Sequence, residues 1–147
     1  FITVGYDGAI WQSDPVSAPP GSGYGAWQLE NAPLLGLNRD PLDDADFDGH
    51  WNLWEYAMGT LAADGGSVPA PGRAGEEGGY FTVSYERDGI APDINYSVER
   101  ASNLVSNDWD AADTVVIEDV ATNLTARSVF PMATQTNEFM RLELELK

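Results

Sequence analysis

The sequence predicts a mainly β protein: a small antiparallel β-sandwich, preceded by an acidic loop set among short helices. Two observations carry this. Beyond residue 79, five segments alternate apolar and polar side chains with period two, as strands with one buried face do. Five such segments in about 70 residues suit a small sandwich. Before residue 62 that alternation gives way to helix-like stretches around DDADFDGHWNLWE, residues 43–55.

Taken in order, FITVGYDGAIW (residues 1–11) sets Ile2, Val4 and Tyr6 against Thr3, Gly5 and Asp7, and reads as one strand. SDPVSAPPGSG (13–23) reads as a Pro/Gly/Ser linker. YGAWQLENAPLLGL (24–37) reads as a short helix broken at Pro33. NLWEYAM continues the acidic loop as a helix that Gly59 can end in the left-handed conformation. The Gly- and Pro-rich run 62–79 reads as a linker. The strands that follow are YFTVSYER, INYSVER, DTVVIEDV, TARSVFPM and FMRLELELK. Four parts result: a strand and linker (1–23), a helical acidic-loop segment (24–61), a linker (62–79) and a sandwich (80–147).

Composition narrows the partners. The chain is 43% hydrophobic, enough to bury a core, and its net charge is −17, from 24 acidic and 7 basic residues. That field opposes nucleic-acid phosphate and anionic membrane surfaces, and it favours divalent cations. Cysteine is absent, so thiolate metal sites and disulfides are excluded. No apolar run approaches the ~20 residues needed to cross a bilayer. A start at Phe1 fits a secreted protein after signal cleavage, or an excised segment.

The acidic loop is the strongest signal. With Asp44 as the first position, it reads D-x-D-x-D-G-x5-E through Asp46, Asp48, Gly49 and Glu55. Calcium takes 6–8 oxygen ligands, and alternate side chains on a curled loop converge on one point. The expected ligands are Asp44, Asp46 and Asp48, the backbone carbonyl of His50, Asn52 through a water, and a bidentate Glu55. A solvated acidic turn is the competing reading, but a match at every ligand position is a demanding coincidence.

Residues 34–60, LLGLNRDPLDDADFDGHWNLWEYAMGT, resemble a calcium-binding tail found in secreted proteins of Verrucomicrobia and Planctomycetes. The loop is also similar to thrombospondin type 3 and dockerin calcium loops. Within it, NLWEYAMGT stands for the tail's NLxEYxLGT. Trp51 replaces a smaller residue there, and LAAD replaces the closing DP. Residues 79–147 look like the β-rich domain that follows such tails. The resemblance implies an extracellular, calcium-stabilised module and no particular reaction.

Catalysis is not expected. The one histidine, His50, falls inside the loop, and GSGYG (21–25) lacks the lysine of a phosphate cradle. The reading is a non-catalytic extracellular structural module, self-associating into a surface assembly or filament by strand exchange through residues 1–11. The alternative is a carbohydrate-binding accessory module, or a C-terminal tail, of a secreted polysaccharide-degrading enzyme. For that role Trp11, Trp27 and Trp51 are the candidate sugar-stacking rings. Trp54 and Tyr56 are expected to pack the core side of their helix, and Trp109 to plug the sandwich.

Overall fold

The computed structural model describes residues 23–147 and the backbone of residues 2–4 and 10–12. Strand β1 (Ile2–Val4) pairs antiparallel with β2 (Ile10–Gln12). The single strand expected over residues 1–11 is therefore two. Gly5 and Asp7-Gly8 lie between them, a composition that interrupts strands. The expected linker at 13–22 and the side chain of Trp11 lie outside the described residues.

Helix α1 (Tyr24–Leu35) runs through Pro33 instead of breaking there. Proline leaves the Leu29 carbonyl without its helical donor. This costs little so near the end, where the Gly36 N–H already closes on Ala32 at 3.2 Å. The N-terminus of α1 is capped from a distant loop: Asp93 Oδ2 accepts the Tyr24 N–H at 2.6 Å. Helix α2 (Asn52–Met58) follows the acidic loop and ends at Gly59, φ 80°, as the sequence suggested.

The expected linker 62–79 is corrected in its second half. Residues Arg73–Glu77 form strand β3, which turns through Gly78-Gly79 into β4 (Tyr80–Glu86). A Gly-Gly pair, both with positive φ, supplies the tight hairpin turn that twisted antiparallel strands prefer. Composition hid this strand: all five of its residues face solvent and none is β-branched or aromatic, so no apolar alternation marks it.

The remaining strands are β5 (Ile94–Ala101), β6 (Thr114–Val120), β7 (Asn123–Pro131) and β8 (Phe139–Leu146). One antiparallel sheet has the order β3-β4-β7-β6, and β5 pairs with β8 in another. Val83 and Tyr85 of the first sheet, with Leu124 and Ala126, share a core with Val98 and Leu142 of the second. Each large side chain buried there contributes roughly 1.5–3 kcal/mol.

Met58 belongs to the same cluster, and Trp54 packs against it. Tyr96 donates its hydroxyl to the Ala57 carbonyl at 2.7 Å, and the Asp88 N–H donates to Met58 at 2.9 Å. The helical segment and the sandwich are thus packed on one interior. This matters for function, because α2, which follows the acidic loop, anchors on the sandwich core.

Two buried arginines cross the sandwich. Arg87 lies over the Tyr96 ring, donates to the Val120 carbonyl and pairs with Asp119. Arg100 lies over Phe130 and pairs with Glu138 and Asp113. Trp109 does not plug the sandwich: it is half-buried beneath the guanidinium of Arg141, 4.5 Å from ring centroid to Cζ.

Candidate metal centre

The acidic loop curls because its own carboxylates organise its backbone. Asp44 Oδ1 accepts the Phe47 N–H at 2.7 Å, and its Oδ2 accepts the Gly49 N–H at 2.9 Å. Asp46 accepts from the Asp48 N–H and Asp48 from the His50 N–H, at 3.2 and 2.7 Å. These are side chain–backbone turns of the kind aspartate favours. Gly49, at φ 97°, supplies the left-handed turn between Asp48 and His50.

The result gathers charge. One carboxylate oxygen from each of Asp44, Asp46 and Asp48 lies within 4.8 Å of the others. Asp46 Oδ2 and Asp48 Oδ2 are buried without a hydrogen-bond partner. Glu55, in the first turn of α2, is fully buried, and neither of its carboxylate oxygens has a partner among the described residues. Burial first, and then the charges of Asp46, Asp48 and Asp44, push its carboxyl up to about 8. Burial likewise raises Asp46, with Asp48 and Asp44 adding to the effect.

Such an arrangement is costly for a fold by itself. A buried carboxylate without donors loses its hydration and gains nothing in return. Like charges nearby raise the cost further. A hard divalent cation removes both penalties, because it replaces the lost hydration and screens the repulsion. The residues therefore fit the group that the spacing implies: a donor set of carboxylate oxygens, without sulfur, suits calcium or magnesium over zinc.

The other two expected ligands have additional contacts. Asn52 is fully buried, and its amide donates to the carbonyls of Asn38 and Asp40 at 3.1 and 3.0 Å. Its backbone N–H donates to Asp43 at 2.8 Å. Asn52 thus straps the entering chain to the start of α2, while its Oδ1 remains buried and unpartnered. His50 was expected to act through its backbone carbonyl, and its ring Nδ1 also lies 3.2 Å from Asp48 Oδ1.

Two contributors escaped the sequence reading. Gly65 packs against the loop, with a Cβ there placed 3.6 Å from Asp48 Cβ and 3.7 Å from the Asp46 carbonyl. Asp93 joins α1 to α2 by accepting from the Tyr24 N–H and, at 2.6 Å, from the Tyr56 hydroxyl. Neither carries a local signal, since each acts across a gap that only folding closes.

Of the candidate sugar-stacking rings, Trp27 and Trp51 form no ring pair with each other among the described residues. Trp51 is 56% exposed just ahead of α2. Trp27 lies half-buried beside Tyr24 and Tyr56, at ring-centroid distances of 5.3 and 5.6 Å. No family model, no curated protein and no solved structure matches the chain. Among the described residues no helix is long and apolar enough to cross a membrane.

Proposed function

We propose that this chain is a non-catalytic, calcium-stabilised structural module that works outside the cell. One observation carries the reading: Glu55 is buried with both carboxylate oxygens unpartnered, in the field of Asp44, Asp46 and Asp48. Those four carboxylates hold the ion, with the His50 carbonyl and a water near Asn52 completing the set. Calcium supplies cross-linking charge here and no reaction step. The chain's own residues do the rest: Gly49 permits the curl, Asn52 straps the loop, and α2 carries the result into the sandwich core. The resemblance to calcium-binding tails of secreted proteins supports the extracellular assignment.

The test is calorimetric titration with calcium chloride beside a thermal melt. Calcium at ~100-fold over its dissociation constant adds ~2.7 kcal/mol of stability. Glu55→Gln weakens binding and removes most of the melting shift. Unchanged calcium affinity in that variant would defeat the assignment.

Self-association is a second reading, favoured by a different observation from the one the sequence offered. Strand β6 is an outer strand of its sheet and exposes Val115, Val116, Ile117 and Val120. An apolar free edge invites pairing with another strand. Residues 2–4 and 10–12 already pair with each other, so β6 is the better route to an assembly than strand exchange through 1–11. Sedimentation of the chain and of Val116→Lys decides it: assembly that survives the lysine is not built on this edge.

A further inference from the structure

A groove of about 440 Å³ opens between α1, the end of α2 and the 88–92 loop. Its size falls in the range of small-ligand sites. Ala26, Trp27, Glu30 and Asn31 present one face of α1 to it, and Tyr56 and Asp88 stand among the residues opposite. The Trp27 and Tyr56 rings, 5.6 Å apart and inclined at 55°, make an angled aromatic wall instead of a flat platform.

The polar chemistry of the groove is one-sided. Many of its hydrogen-bond donors are already committed. Tyr56 gives its hydroxyl to Asp93 at 2.6 Å, and Asn31 gives its amide to the Trp27 carbonyl at 2.8 Å. The Asp88 and Gly89 N–H groups donate to Met58 and Ala121, at 2.9 and 2.8 Å, and the Ala91 N–H donates to Tyr96 at 3.2 Å. Glu30 and Asp88, both exposed, line the groove and make no ion pair among the described residues. Among the described residues no basic side chain lines it. The chain's one lysine, Lys147, is engaged at the rim, where its Nζ donates to the Pro92 carbonyl at 3.1 Å.

The Thr60 hydroxyl, also in the lining, has no hydrogen-bond partner among the described residues, so the groove keeps a neutral donor beside its two carboxylates. An anion is repelled by both carboxylates. What the groove offers is aromatic surface with negative charge beside it, the combination that attracts a cation carried on an apolar body. We propose that this groove binds the ammonium end of an alkyl cation, its carbon stem against Trp27 and Tyr56 and its charge facing Glu30 and Asp88. The site is separate from the calcium loop and does not depend on that reading.

The experiment follows the Trp27 indole and Asp88 amide resonances of the full chain, in calcium buffer and again in EDTA. The probes are n-butylammonium chloride, n-butanol and cellobiose. Saturable shifts with n-butylammonium alone are expected, weakening several-fold between about 20 and about 300 mM sodium chloride as the charges are screened. Asp88→Asn and Glu30→Gln each weaken binding several-fold. Both side chains are exposed, so the variants keep the fold, which the dispersion of the spectrum checks. If a variant unfolds, the salt dependence decides alone. Equal shifts with n-butanol would reduce the groove to an apolar slot, and shifts with cellobiose would make it a saccharide subsite. Either result, or the absence of shifts, overturns the proposal.

Discussion

The buried carboxylate of Glu55 lies in the field of Asp46, and each carries a buried oxygen that finds no hydrogen-bond donor. Both are pushed toward the protonated form, by burial first and by neighbouring carboxylates after it. A metal ion bound there would compete with a proton for the same oxygen atoms.

Stability of the calcium-free protein should fall as pH rises. The Glu55 carboxyl moves from an ordinary 4.5 in the unfolded chain to about 8 in the fold. The folded state therefore binds the proton more tightly, so its advantage is complete below 4.5 and is lost as pH rises through about 8. Melting temperatures in EDTA across that window check the sign, and Glu55→Gln should flatten the slope. On the proposed calcium reading the ion displaces that proton, so binding near pH 7 should release about one proton. Calorimetry in buffers of different ionisation enthalpy measures it, and zero release would contradict the buried, protonated Glu55.

Two glycines with positive φ should respond unequally to alanine. Gly49, at φ 97°, has nothing within 4 Å of where a Cβ would stand, so Gly49→Ala meets backbone strain alone, about 1–2 kcal/mol. At Gly59, φ 80°, the new Cβ would also lie 2.7 Å from Asp88 Cβ and 2.8 Å from the Asp88 carbonyl. Gly59→Ala should therefore cost more, and it should disturb the contact of α2 with Asp88, just beyond β4. Equal losses on chemical denaturation would refute the close approach.

Asp93→Ala should loosen α1 selectively. The substitution removes the acceptor for the Tyr24 N–H and for the Tyr56 hydroxyl, at a cost of about 1–2 kcal/mol. Amide exchange should quicken through residues 24–35 while β4 and β7 stay protected. The Tyr56 hydroxyl, held high by burial and then by its bond to Asp93, should titrate lower in the variant.

Arg100 should be expensive to remove alone and cheaper to remove with its partner. Its guanidinium is buried, and it neutralises Glu138, whose side chain is 8% exposed. Arg100→Ala should cost about 3–5 kcal/mol, because it strands that carboxylate. Combining Arg100→Met with Glu138→Gln should recover a large part of the loss. Additive losses in a double-mutant cycle would show that the pair is not coupled.

Five strands, the curl of the acidic loop and the end of α2 at Gly59 were legible from local residues, because each is written in close neighbours along the chain. Asp44, Asp46, Asp48 and Gly49 act within five residues of one another, so their spacing alone described the loop. The solvent-facing strand β3 was invisible because RAGEE carries no β-branched or aromatic residue, whereas β6, almost as exposed, was legible through Val115, Val116 and Ile117. Pro33 misled because the penalty of a proline depends on how much helix follows it, and only two residues do. Tertiary structure alone decided that Met58 and Trp54 share the sandwich core, that Asp93 caps α1 from across the fold, and that Glu55 is buried without a donor. Burial is set by what distant strands place above a side chain, and no local spacing contains that.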